Sequence, residues 1–269
     1  VLTVHDLVPL LLPDTVSTAF RWQFRLWLAR SLQVAAHVVC VSEVTRQSVL
    51  AHFDVDPAKL TVVHHGVDHV EAVARADATT ENWLDALGLG EAFVLYAGAL
   101  DARKNVELVF AAMERLHQGG RRVPLVLAGQ RWFGGDSIER AMQRTKRAGV
   151  SVRALGYLAD PVFYALMRRA TAFVFPSRYE GFGLPPLEAM RLGVPTIVST
   201  EGSLPETCGA GAWQVGPDDA QGLADQLERL LASAPLREER INAGLQWSRR
   251  FTWADAVAKT RAVYDAVAP

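Results

Sequence analysis

Cysteine is nearly absent. The 269 residues hold only Cys40 and Cys208, one in the apolar run Val38-Val39-Cys40-Val41 and one beside glycine, which excludes a disulfide framework and fits the reducing cytosol. An excess of one charge is missing too: 28 basic residues nearly cancel 29 acidic ones, so no global field recruits nucleic acid, and an anion must be held locally. No stretch reaches the roughly 20 apolar residues of a membrane span, and no basic region followed by an apolar run opens the chain. No Cys/His/carboxylate cluster with metal-ligand spacing is found, and no metal is expected. Asp54-Val55-Asp56 precedes Pro57 and reads as a turn. His64 and His65, adjacent on a strand, face opposite ways, which leaves His65 a structural or hinge residue.

The chain is half hydrophobic, and its 20 Gly and 13 Pro stand as punctuation between apolar runs, as in an ordered globular protein of two modest domains. Val1 to Val4 reads as a buried strand ended by His5-Asp6, with no start signal before it, so the expectation is that the chain begins inside a domain. A helix near Thr18 to Val34, a strand at His37 to Val41, a helix from Glu43 to Phe53 capped by Ser42 and a strand at Leu60 to His64 follow. From Phe20 to Leu32 large apolar residues interleave with Arg21, Arg25 and Arg30. Two readings stand: a helix lying on an anionic bilayer surface, and a buried helix with its arginines to solvent.

The pattern loosens from His65 to Gly90, with a short amphipathic turn around Trp83 to Leu87, and reads as an interdomain connection. From Phe93 onward strands and helices alternate. Strands are expected at Phe93 to Ala97, Pro124 to Ala128, Val152 to Leu155, Ala172 to Phe175 and Thr196 to Ser199, with a short apolar run at Ala212 to Val215. Helices are expected at Val106 to His117, Ser137 to Arg147, Pro161 to Arg169, Pro186 to Arg191, Ala220 to Ala232, Leu236 to Arg249 and Trp253 to Val267. The alternation predicts an α/β fold, a parallel sheet with helices on both faces and its ligand beyond the carboxyl ends of the strands.

Two loops at that edge carry chemistry. In Gly98-Ala99-Leu100-Asp101-Ala102-Arg103-Lys104-Asn105 two cations stand before a helix that Asn105 is placed to cap, an anion cradle suited to a diphosphate; a solvated basic pair at a helix start is the plainer reading. In Glu180-Gly181-Phe182-Gly183-Leu184-Pro185-Pro186-Leu187-Glu188 the glycines let backbone amides approach a ligand. The glutamates can accept hydrogen bonds from hydroxyls at two ends of an elongated molecule; the plainer reading has both merely favouring a positive helix end. Trp132-Phe133-Gly134-Gly135 reads as a flap or as a plain surface loop.

Two glutamates with seven residues between them around Gly-Phe-Gly-Leu-Pro resemble the signature of the retaining GT-B glycosyltransferases classed as family 4. Gly98 with Arg103-Lys104-Asn105, Ala128-Gly129, Gly156-Tyr157-Leu158, Pro195 to Ser199 and Ser203-Leu204-Pro205-Glu206 stand in the family's order. His5-Asp6, Ser42 to Arg46 and His65-Gly66-Val67-Asp68 resemble its first lobe more weakly. The resemblance implies two Rossmann-like lobes. A partial acceptor lobe would span 1–75, a linker 76–90 and a complete donor lobe 91–250, with a C-terminal helix over 251–269 that crosses back. It implies that Arg103 and Lys104 contact the diphosphate of a nucleotide-sugar, that Gly156, Tyr157 and Leu158 border the base, and that Glu188 holds the ribose. Glu180 would contact the donor sugar, aided by the amides of Phe182, Gly183 and Leu184, while His5 approaches from the other lobe. Gly98 would belong to the donor site.

The nucleotide-sugar is then a substrate, and no cofactor is expected. The resemblance further implies that the leaving diphosphate takes the incoming hydroxyl's proton, so that the protein's work is positioning and charge stabilisation. The Arg-Lys-Asn form leans toward GDP-mannose, with UDP-glucose, UDP-galactose and UDP-N-acetylglucosamine open, and toward a glycan or lipid-linked acceptor in the cytoplasm or at the inner membrane face. Many relatives carry arginine where this chain has Ala99. A non-catalytic nucleotide-sugar-binding fragment and an epimerase on the same fold remain as alternatives.

Overall fold

The structure is a computed structural model that describes residues 1–74, 77–130 and 135–268; the Trp132 to Gly135 stretch named above lies outside them save that Gly135 begins a helix. The first part comprises β1 (Leu2–Val4), α1 (Val8–Leu11), α2 (Thr18–Val34), β2 (Val38–Cys40), α3 (Glu43–His52) and β3 (Leu60–Val62), followed by α4 (Val70–Val73) and α5 (Ala78–Ala86). Next come β4 (Val94–Ala97), α6 (Val106–Gln118), β5 (Leu125–Ala128), α7 (Gly135–Arg147), β6 (Val152–Gly156), α8 (Asp160–Arg169) and β7 (Ala172–Phe175). The chain continues through α9 (Leu184–Arg191), β8 (Thr196–Ser199), α10 (Leu204–Cys208), β9 (Trp213–Val215), α11 (Ala220–Ala232), α12 (Ala234–Ser248) and α13 (Trp253–Val267).

Both sheets are parallel. The first has the order β1-β2-β3 and the second β6-β5-β4-β7-β8-β9. Numbered from β4 the second order is 3-2-1-4-5-6, a doubly wound sheet whose direction of winding reverses between β4 and β7. Strands β4, β5 and β7 at its centre are apolar and buried along their whole length because both faces are covered there. Val94, Tyr96, Leu125 and Val174 point to the layer containing α6, α7 and α11; their neighbours Leu95, Ala97, Val126, Phe173 and Phe175 point to the layer containing α8 and α9.

In the first sheet Val4, Val38, Cys40 and Leu60 pack against Leu32 of α2 and Val49 of α3, while Val39 and Val63 on the opposite face meet Ala256 and Val263 of α13. The last helix therefore lies on the first sheet. Val67 N–H donates to Phe251 O at 3.1 Å and Trp253 N–H to Asp68 Oδ1 at 2.8 Å, and a Cβ on Gly66 would lie 2.1 Å from Trp253 N.

Several expectations are corrected. The turn around Trp83 to Leu87 is a helix, α5, which Asp77 caps by accepting from Thr80 N–H at 2.8 Å. Helix α9 starts at Leu184 rather than Pro186, since prolines are tolerated throughout a first turn whose amides have no helical acceptor. The reading of α2 as a buried helix fails: only Leu32 is buried, while Phe20, Trp22, Leu26 and Trp27 are 47–68% exposed. Asp54-Val55-Asp56 is a turn, with Asp56 Oδ1 accepting from Ala58 N–H at 2.9 Å.

Candidate active site at the sheet's reversal point

The loops after β4 and β7 flank the reversal of the second sheet and are bonded to each other. Asp101 Oδ1 accepts from Lys104 N–H at 2.8 Å, and Arg103 O accepts from Arg178 N–H at 2.8 Å. Gly98, at φ +143°, lies against Gly129, where an added Cβ would fall 2.0 Å from Gly98 O. Such an approach is open only to glycine.

Asn105 is not the cap expected of it. It occupies the left-handed region at φ 57° with no capping bond, and its amide nitrogen donates instead to Pro176 O at 3.1 Å and Pro217 O at 2.7 Å. Asparagine is among the few non-glycine residues that tolerate that conformation, and here the side chain ties three loops at the sheet edge.

Held in this way, the cations converge on one carboxylate. Lys104 Nζ donates to Glu180 Oε1 at 2.7 Å and Arg103 Nη1 to the same oxygen at 3.0 Å, while Arg103 Nη1 also reaches Tyr179 O at 3.0 Å. Lys104 further sits 4.7 Å from the centre of the Phe175 ring. The plainer reading of Arg103 and Lys104 as a solvated pair does not describe them: their side chains are 21% and 13% exposed. Two cations about one carboxylate leave an excess positive charge for an anion.

Beside them α9 begins. Gly183 adopts φ +90°, and because Pro185 and Pro186 lack N–H groups, the free donors of this first turn are reduced to the amides of Gly183 and Leu184. Glu188 lies further along α9, 7% exposed. Its Oε1 accepts from Tyr164 Oη at 3.2 Å. The Trp253 indole N–H donates to His69 Nδ1 at 3.0 Å, which leaves the ring proton on Nε2, 3.2 Å from Tyr164 Oη. Among the described residues no donor reaches the other oxygen, Oε2, so Glu188 keeps an acceptor for a ligand hydroxyl. Burial pushes its carboxyl up to about 7, against a partly offsetting bond from Tyr164.

The first sheet reaches the same place. His5 stacks on His65 with ring centroids 5.6 Å apart, and His65 meets Phe182 edge-on at 5.0 Å. Burial lowers the His65 pKa, and the neighbouring His5 and His64 lower it further, consistent with a packed, neutral ring. A Cβ on Gly181 would stand 1.8 Å from His5 O, so the loop that carries Glu180 touches the end of β1.

The structure thus joins Arg103 and Lys104 to Glu180, sets Gly98 beside Lys104, carries Phe182, Gly183 and Leu184 next along the Glu180 loop, and brings His5 against Gly181, with Glu188 on the adjoining helix. Gly156, Tyr157 and Leu158 lie at the end of β6, two strands from β4. Gly156 O accepts from Gly129 N–H at 2.8 Å, Tyr157 is 69% exposed, and Leu158 packs on the apolar layer beneath. Tyr164 and His69, which hold Glu188, were missed in the sequence; nothing local marks them, since they meet it only through tertiary packing.

A parallel sheet of order 3-2-1-4-5-6 with two cations and a carboxylate at its reversal point defines a doubly wound α/β protein. The sequence model of the glycosyl transferases group 1 matches residues 80–247, and that of Glycosyltransferase Family 4 matches residues 1–71. The chain belongs to the group 1 glycosyl transferases.

It is 32% identical over 239 residues to O-antigen chain mannosyltransferase B of Escherichia coli, a match covering 88% of this chain and 62% of that protein. It is 31% identical over 258 residues to the serotype-specific mannosyltransferase WbdA of the same species, covering 93% of this chain and 31% of that one. The chain thus spans less than two thirds of these relatives. In structure it is similar to Anabaena Alr3699/HepE, solved in complex with UDP and glucose, with a TM-score of 0.80, 19% identity and coverage of 98% of this chain and 70% of that one. This likeness is one of GT-B fold.

Proposed function

We propose that the chain is the donor-handling part of a retaining, metal-independent glycosyltransferase that moves a hexosyl group from a nucleotide-sugar to a glycan or lipid-linked acceptor. The observation that carries this reading is the convergence of Lys104 and Arg103 on Glu180 at the reversal point of the sheet. A diphosphate entering there meets two cations and the amides of Gly183 and Leu184, which stabilise charge as it develops on the leaving group. Glu180, held by the same cations, faces the sugar and accepts its hydroxyls, and Glu188 accepts those of the ribose. His5 lines the cleft on the acceptor side. No side chain need serve as base, because the departing diphosphate takes the acceptor proton on the face it leaves.

Mannose is the favoured sugar and GDP-mannose the favoured donor, on the strength of the two mannosyltransferases named above. The acceptor is approached from a membrane surface: α2 has no acidic residue, carries Arg21, Arg25 and Arg30, and leaves Phe20, Trp22, Leu26 and Trp27 exposed. The test is incubation with GDP-mannose and UDP-glucose, with released sugar followed by NMR. Initial appearance of α-mannose from GDP-α-mannose is expected. Initial β-mannose would refute retention, and an isomerised nucleotide-sugar would establish an epimerase instead.

A further inference from the structure

The mechanism proposed above makes no use of Glu206, yet this carboxylate is built into the contact between the two sheets. Glu206 belongs to α10, on the same side of the molecule as Glu180: Ser203 N–H donates to Glu180 O at 3.1 Å, and a Cβ on Gly202 would lie 2.7 Å from Glu180 N. The segment before Glu206 is thereby packed on the backbone of the Glu180 loop. Its side chain reaches across to the first part of the chain. Oε1 accepts from Glu43 N–H at 2.8 Å and Oε2 from Val44 N–H at 3.0 Å, while His64 Nε2 stands 2.8 Å from Oε1.

Glu43 and Val44 open α3, where the amides of Glu43, Val44 and Thr45 have no partner within the helix. Ser42 supplies the local cap by accepting from Thr45 N–H at 3.0 Å, and a carboxylate more than 160 residues distant supplies the rest. Burial would raise this carboxyl, but the bonds from His64, Glu43 and Val44 together outweigh it and hold the pKa below the usual value. Glu206 is therefore an anion at a positive helix end.

The same helix end touches the Glu180 loop. Gly181 O accepts from Ser42 Oγ at 2.6 Å and from Thr45 Oγ1 at 3.2 Å, and Gly181 is the residue that abuts His5. One turn of α3 is thus gripped by Glu206 on one side and seated on the Glu180 loop on the other.

We propose that Glu206 is a positioning residue that clasps the first turn of α3 and so fixes the closed apposition of His5 to the Glu180 loop. This rests on the proposed transfer reaction for its kinetic consequence but not for its structural one. Donor contacts lie within the second sheet and its loops, so breaking the clasp should leave them intact while misplacing the acceptor side.

The test compares the unsubstituted chain with Glu206→Ala and Glu206→Gln. Nucleoside diphosphate affinity in Glu206→Ala is expected to stay within about twofold. Sugar release or transfer should fall by about 10–100-fold in kcat with KM for donor little changed, and small-angle scattering should report a larger radius of gyration. Glu206→Gln, which keeps one acceptor oxygen for a helix amide, should recover part of the loss. Unchanged scattering, or a parallel loss of nucleotide affinity, would overturn the clasp. If the unsubstituted chain binds no nucleotide, the transferase reading fails and scattering alone decides the clasp.

Discussion

Lys104 Nζ donates to Glu180 Oε1 at 2.7 Å, although 76 residues separate them. The bond joins the cation expected to hold a diphosphate to the carboxylate expected to hold a sugar, so in the proposed reaction the charge that receives the leaving group would also orient the group being moved. Lys104→Ala removes one of two cations from a carboxylate whose side chain is 12% exposed. A charge-assisted bond of this kind is worth about 1.5–3 kcal/mol. Calorimetry should show nucleoside diphosphate affinity falling by roughly 10–100-fold, with nucleoside affinity little changed. Equal losses for both ligands would contradict the diphosphate assignment.

The two glutamates should separate in kinetics. Glu188→Ala is expected to weaken nucleotide binding, and Glu180→Ala to lower turnover more than binding. Equal loss of nucleotide affinity in both variants would undo the division of roles.

Glu188 also sets a pH dependence. With its carboxyl pushed up to about 7 by burial, only the form ionised above that pH accepts two ribose hydroxyls, so affinity should rise about tenfold from pH 6 to pH 8. Glu188→Gln should retain only the ligand phosphate's own dependence. The same shift acts on stability with the opposite sign. A folded-state pKa above the unfolded one gives stability that is complete below about 4.5 and lost as pH rises through about 7. The cost at pH 8 is roughly 3 kcal/mol. Glu188→Gln should therefore have a higher Tm than the parent, by a margin that widens from pH 5.5 to pH 8. A margin independent of pH would show that the carboxyl is not raised.

Gly181→Ala tests the contact across the cleft. Its Cβ would meet His5 O, a backbone atom that cannot swing aside, at 1.8 Å. The bonds from Ser42 and Thr45 should be lost with it, at a cost of about 1–3 kcal/mol in denaturant unfolding, together with reduced turnover. Parent-like stability and activity would mean that the contact is dispensable.

The aromatic face of α2 should partition onto anionic vesicles. Cosedimentation with phosphatidylglycerol vesicles that weakens in salt, and is lost in Trp22→Ser/Trp27→Ser, is the expected result. No binding, or equal binding to phosphatidylcholine, would contradict it.

Much of the second sheet was legible in the sequence, because strand and helix periods alternate there and Gly, Pro and the paired glutamates punctuate the loops. The long-range relationships were not legible. Asn105 has a helix-capping residue's identity and position, but the left-handed backbone at that point turned its side chain to two distant carbonyls. Glu206 reads locally as part of a short helix, and only folding brings it to Glu43 and Val44. In α2 the mixture of arginine and tryptophan fits a buried helix as well as a surface one; which side chains face solvent was decided by how little packs on it. Helix α5 reads as a turn in the sequence because its apolar residues are few and its cap, Asp77, lies in a polar stretch.

Calorimetric titration of the chain with GDP, UDP and ADP and their common sugar conjugates tests the central claim most directly, that the loops after β4 and β7 form a nucleotide-sugar site. The account predicts micromolar binding of one nucleoside diphosphate, GDP in first place, abolished or strongly reduced by Lys104→Ala. Failure of every nucleotide to bind, or binding unaffected by loss of Lys104, would contradict it.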